Sequence, residues 1–310
     1  MTDSARGVGP AAEPRTYYGR PILKEPVWKW LIPAYFFTGG LAGASATFAL
    51  VAQLTGRRPL VRPARLTALA GITASAVFLV ADLGRPERFA NMLRVARPTS
   101  PMSVGSWLLA VFGPAAGVAA MADVTGLATG AGHAAGLVAG TLGPLVATYT
   151  GVLVAGTSLP AWRGAGRELP ALFGAGAAAS AGGVALWCAP AGDVEPARRL
   201  ALAGAAAELV AAHSMARSLG PTAEVYRTGR AGRLQRAATA CAAAGAVALV
   251  AGRRRRGLAL AGGALVTAGA ALQRFAVVEA GHQSAAEPRY VLAQQGGDEG
   301  VGRRAAPRRV

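Results

Sequence analysis

Charge is scarce in this chain. Asp, Glu, Lys and Arg make up 15% of 310 residues, against about 25% in a soluble domain. Acids are the scarcer sign, 15 against 32 Lys and Arg, which leaves a net charge of +17. The Arg residues cluster between apolar runs, the pattern of membrane loops near anionic lipid and not of a nucleic-acid face. There are two cysteines, Cys188 and Cys241. They lie far apart, each in or beside an apolar segment, which excludes zinc, iron–sulfur and dithiol spacings and leaves packing as their reading. Of three histidines, only His213 falls inside an apolar run, while His133 and His282 fall at opposite ends of the expected bundle. A haem held by two imidazoles is therefore not expected. No Ser/His/Asp or HExxH arrangement and no phosphate-cradling glycine loop with a lysine occurs. The first 27 residues lack a short apolar core with a small-residue cleavage site, so no cleavable signal peptide is expected.

Hydrophobic residues are abundant, at 53%. The organising stretch is Trp28–Leu54, uncharged from Leu31 onward. That exceeds the roughly 20 apolar residues that cross a bilayer of about 30 Å. Trp28, Lys29 and Trp30 open it as interfacial side chains. Gly39 and Gly43, one turn apart, allow close helix packing. Further apolar runs predict helices at about 64–82, 104–122, 134–158, 169–189, 198–217, 234–251 and 257–280. The fold class is thus an all-α integral membrane protein with eight transmembrane helices. Residues 1–27 form a polar tail, 28–280 the membrane domain and 281–310 a second polar tail. The Pro- and Arg-rich connection over 82–103 is long for a bundle turn, and Phe89, Met92 and Leu93 give it an amphipathic turn suited to the interface.

Eight spans place both ends of the chain on one side, here termed the N-side. It carries about twice the Lys and Arg of the opposite side, which the positive-inside rule assigns to the cytoplasm. Ionisable groups within spans are costly and are functional candidates. Glu208 lies near the middle of the sixth expected helix and His213 nearer its N-side end. Arg274 lies about 8 Å from the N-side end of the eighth. Glu279 closes that helix, Asp82 closes the second, and Tyr149 lies two turns from the N-side end of the fourth. Pro33 and Tyr35 stand in the first turns of the first. These positions suggest one polar pocket opening to the N-side beneath an otherwise apolar opposite leaflet. The competing reading is structural, with Glu208 paired to Arg274 and the aromatics as interface anchors.

The segments WKWLIPAYFFTGGLAGAS, DLGRPERFANMLRV, RPTSPMSVGSW, ATYTGVLVAGTSLPAW and RFAVVEAGHQSAAEPRY resemble the NrfD family, the membrane subunits of polysulfide-reductase-like (PsrC-like) complexes. The resemblance runs from about Tyr17 to Tyr290 and is weakest in the fifth to seventh helices. It implies two four-helix bundles without haem or an iron–sulfur cluster of their own, and a quinone-interacting anchor paired with a four-cluster iron–sulfur subunit and a molybdopterin catalytic subunit. Menaquinone would bind near the partner-facing side, with Tyr149 in ATYTG as the quinone tyrosine and Trp30, Pro33 and Tyr35 lining the same pocket. Some members place Asn and His near the start of the first helix, where this chain has Lys29 and Trp30. Asp82, Glu208 and His213 are candidate proton relays, Arg274 and Glu279 ion-pair residues, and Arg85, Arg88 and Arg94 partner-docking residues. The RFAVVEAGHQSAAEPRY segment is similar to members associated with formate dehydrogenases. The family's exported partners would place the N-side outside a plasma membrane, against the charge count. A secondary transporter using Glu208 and Arg274, and a passive anchor, are the alternatives. The chain shows no internal repeat of the transporter kind.

Overall fold

Long runs of Ala, Leu, Val and Gly become long helices, because in hydrocarbon every backbone N–H and C=O must be paired within the segment. A computed structural model of the chain describes Leu23, residues 26–94 and residues 96–291. It contains α1 (Leu31–Leu54), α2 (Arg58–Asp82), α3 (Pro101–Thr125), α4 (Thr129–Ala155), the short α5 (Pro160–Arg163), α6 (Glu168–Cys188), α7 (Val194–Ser218), α8 (Gly229–Ala251) and α9 (Arg256–Ala286). Short 3-10 segments at Pro86–Leu93 and Gly220–Tyr226 lie in the connections. Local chemistry sets several ends. Ser100 caps α3 by accepting a hydrogen bond from the Ser103 N–H, Pro101 starts that helix, and Gly126 stops it at φ 71°, a left-handed turn that glycine adopts without strain.

α1 to α4 pack on one another, and so do α6 to α9. The two groups meet where α1 and α4 lie on α6 and where α1 touches α9. Glycine makes the closest approaches. A Cβ on Gly43 would collide with the Gly143 carbonyl of α4, and one on Gly39 would press on Ser75 of α2. On the outer surface, Val51, Val77, Val111, Leu145, Val210 and Val247 are exposed on α1, α2, α3, α4, α7 and α8. An apolar exterior of this extent belongs in lipid.

Seven of these helices are long and apolar enough to cross a membrane, so the chain is a multi-pass membrane protein. The sequence predicts eight. The long helix outside the seven is α7, which carries Glu195, Arg198, Arg199, Glu208 and Arg217. It nevertheless lies antiparallel along α6, with Gly182 against Ala201 and Gly204 against Ala179. Asp193, before α7, pairs with Arg57 at the α1–α2 turn, while Leu219, after it, packs on Gly164 at the other end of the molecule.

Three expectations change. Helices α2 and α7 begin earlier than their apolar runs, at Arg58 and Val194. Arg65 and Arg198, expected in or near loops, are therefore buried helix residues at 4% and 7% exposure. The opposite leaflet is accordingly not purely apolar. Arg65 donates to Asp123 at 2.8 Å and to Gln53 at 2.5 Å, and Arg198 donates to Glu195. Nor does the last helix end at 280. α9 runs on to Ala286, and Ser284, Ala285 and Tyr290 are buried, because Gly281 lets the helix close on the Trp162 ring. The tail expected at 1–27 falls outside the described residues apart from Leu23, Pro26 and Val27, and that at 281–310 does so from residue 292.

Candidate functional site at the N-side end

The N-side end is aromatic. Trp28 stacks on Trp162 at 5.0 Å between centroids and meets Phe36 edge-on at 6.0 Å. Phe36 continues to Tyr35 and to Phe173. Trp162 is 1% exposed, and its Nε1–H donates to the Val277 carbonyl at 2.6 Å. This satisfies the one polar group of a ring otherwise wrapped in carbon. Sequence reading missed Trp162. The available signal was a lone Trp between Pro160 and Arg163, in a segment taken for a loop.

Tyr149 sits on α4 six residues before its end, about 9 Å deep at 1.5 Å per residue. Its ring lies on Gly105 of α3, where a Cβ would collide with it. The ring is half-buried, and the hydroxyl is fully buried without a hydrogen-bond partner. A buried hydroxyl left unpaired costs about 1–3 kcal/mol; the Tyr226 hydroxyl is buried and unpartnered in the same way, but only Tyr149 stands on α4 beside a glycine that makes room for its ring. Tyr149 does not turn out to the lipid, but it lines neither the cavity between α2 and α3 nor the one beside the start of α1.

Trp30 and Pro33 take another position. With Trp28, Lys29, Arg230, Glu279 and His282 they line a cavity of about 400 Å³ between the start of α1 and helices α8 and α9. Tyr35 is buried toward α2, where the Ser75 hydroxyl donates to its carbonyl at 3.3 Å. The four residues expected around one quinone thus divide. Trp30 and Pro33 share a cavity, and Tyr149 and Tyr35 do not line it. A further cavity of about 460 Å³ opens between α2 and α3, with Met92 and Leu93 of the 3-10 connection, Ser106 and Leu109 on its walls. Its α3 wall adjoins Gly105 in sequence. The side chains of Arg88 and Phe89 lie outside the described residues, while Arg85 and Arg94 are exposed.

Arg274 and Glu208 meet in the interior. Arg274 Nη1 lies 3.5 Å from Glu208 Oε1, and the side chains are 1% and 4% exposed. Arg274 also donates to the Phe173 carbonyl and stands 4.3 Å over the Phe173 ring. Gly176 makes room, since a Cβ there would strike both partners. Because α9 extends to Ala286, Arg274 is about 18 Å from the helix end and not 8 Å. Glu279 pairs instead with Arg230, at 4.0 Å. Asp82 is half-buried at the end of α2 with Lys29 as its neighbouring cation. His213 is exposed on α7, away from the buried pair. Outside the spans, burial pushes the Tyr290 phenol above its ordinary range. Among the described residues no three His, Cys, Asp or Glu side chains gather as metal ligands.

A family model described as polysulphide reductase, NrfD, matches residues 22–191. The chain belongs to the NrfD family. The match covers α1 to α6, including Tyr149, Gly105 and Trp162, and is shorter than the stretch over which the motifs resemble the family. α7 to α9, with Glu208, Arg274 and RFAVVEAGHQSAAEPRY, lie beyond it. Comparison with curated proteins finds no match. As an NrfD protein, the chain is a membrane subunit of a redox complex.

Proposed function

We propose that this NrfD protein is the quinone-interacting anchor of a molybdopterin and iron–sulfur oxidoreductase complex in the plasma membrane. It would pass electrons between a four-cluster iron–sulfur subunit and menaquinone. In this reading α7 is the eighth span, and α1–α4 and α6–α9 are two four-helix bundles. The iron–sulfur subunit docks on the N-side face, where Arg85 and Arg94 are exposed beside the Trp28–Trp162 stack. Association with a formate dehydrogenase rests on the RFAVVEAGHQSAAEPRY segment.

The observation that carries the reading is the buried, unpartnered hydroxyl of Tyr149 near the N-side. It fits a quinone, whose carbonyl oxygen would accept the hydrogen bond that the protein withholds. Quinone reduction takes up two electrons and two protons, and oxidation returns them. Tyr149 donates to one quinone oxygen and fixes the ring, while Gly105 holds the phenol in place. Asp82, at the N-side end of α2, is the group that would exchange protons on this side; Glu208, also a candidate, is held in its pair with Arg274. His213, facing outward, takes no part. Transport through Glu208 and Arg274 is the weaker reading, because Phe173 and Gly176 close the pair in and Arg274 is also held by the Phe173 carbonyl.

The test is Tyr149→Phe in the intact complex. Losing a hydrogen bond to an oxygen that gains charge is expected to lower quinone-linked turnover by about tenfold or more. Turnover with a soluble dye that accepts electrons before the membrane, and subunit stoichiometry, should stay at wild-type levels. Quinone-linked turnover equal to wild type would remove Tyr149 from the reaction.

A further inference from the structure

A groove of about 690 Å³ runs down the seam between the two groups of helices in the opposite half of the molecule. It follows α1 from Ala44 to Thr55, about 16 Å at 1.5 Å per residue. That is one leaflet of a hydrocarbon core about 30 Å thick. Phe48, Val51, Leu60, Pro144, Leu200 and Ala203 supply carbon walls. The hydroxyls of the three threonines on its walls all donate to backbone carbonyls. Thr47 donates to Gly43 at 3.2 Å and also to Gly140, Thr55 to Val51 at 2.7 Å, and Thr148 to Pro144 at 2.8 Å. The walls therefore accept an alkyl chain in preference to a polar ligand.

The mouth is charged. Arg57 and Arg199 line it together with Glu195. Arg57 lies 3.4 Å from Asp193 and Arg199 2.8 Å from Glu195. At 47% and 77% exposure the two guanidiniums keep donors free for a second acceptor. Arg58 and Arg62 are exposed on the next turns, and Arg253, Arg254, Arg255 and Arg256 are exposed at the same end of the molecule. Only three acids, Asp123, Asp193 and Glu195, stand among the described residues at that end. Such a basic rim attracts anionic headgroups.

We propose that this groove is a site for one anionic phospholipid of the opposite leaflet. One of its acyl chains lies along α1 and α7, and its phosphate sits at Arg57 and Arg199. The bound lipid seals the seam between α1 and α4 on one side and α6 and α7 on the other. Its volume falls in the range of about 300–1,000 Å³ usual for ligand sites.

The experiment uses the intact complex, delipidated in detergent and titrated with phosphatidylglycerol or phosphatidylcholine under native mass spectrometry. One phosphatidylglycerol per chain should bind about tenfold more tightly than phosphatidylcholine. Arg57→Gln with Arg199→Gln should bring the two lipids to parity. Ala203→Phe, which fills the groove and leaves every charge in place, should abolish binding of both. Parity in the wild type, or phosphatidylglycerol binding that survives Ala203→Phe, overturns the proposal. So does recovery of a protein helix, in place of lipid, cross-linked to Ala203→Cys.

Discussion

Glu208 and Arg274 show how a residue pair behaves when both members leave water. Each is costly alone in a low-dielectric interior, and their attraction offsets that cost only while both are present. Glu208→Leu or Arg274→Met alone should each destabilise the protein by about 3–5 kcal/mol, and the double substitution by much less. Thermal unfolding of the solubilised complex across this cycle checks it; additive single losses would show that the two do not act as a pair. These two residues were legible in the sequence because a charge inside a run of Ala and Leu needs a partner, and the structural reading paired the two. Arg65 was not, because Pro63 and the neighbouring arginines imitate a loop. Only its Asp123 and Gln53 partners, 58 and 12 positions away, show it buried. Trp162 was hidden for the same kind of reason, since its burial depends on Gly281 of α9.

At the scale of elements, apolar length locates most helices and fails at their ends. Helices α2, α7 and α9 each extend past their apolar runs, into arginines at Arg58 and Val194–Arg199 and into Gln283–Ala286. Burial against neighbouring elements, not hydropathy, accompanies these extensions, with Leu60, Ala197 and Ala285 all buried. α7 is the case that matters. Its outer face carries Val210 at 70% exposure, while Glu208 and Arg198 turn inward. A helix of this kind can span although its mean hydropathy is low, because the charges are buried in protein. With Cys188 and Cys241 replaced by Ala, single cysteines placed at Gly192 and at Ser218, both exposed, should react with an impermeant thiol reagent from opposite sides of the membrane. Reaction from the same side would make α7 a surface helix and reduce the spans to seven.

At the scale of the whole molecule, the expectation of polar groups beneath a single surface gives way to two different ends. The N-side joins an aromatic stack to the orphaned hydroxyl of Tyr149 and to the cavity holding Trp30, Lys29 and His282. The opposite end is a basic rim whose buried charges, Arg65 and Arg198, are tied to acids of their own. The family motifs made the first end legible. The division of Trp30 and Pro33 from Tyr149 was not legible, because residues on adjacent helices can share a depth and still face different neighbours. The account depends on a quinone ring binding near the N-side, at Tyr149. Photolabelling of the intact complex with an azido-menaquinone analogue, followed by peptide mapping, tests this most directly. Label is expected within residues 101–109 of α3 or 145–153 of α4, and should be lost when excess menaquinone competes. Competable label confined to the α1–α2 turn or to α7 near Arg199, with none on α3 or α4, would contradict it.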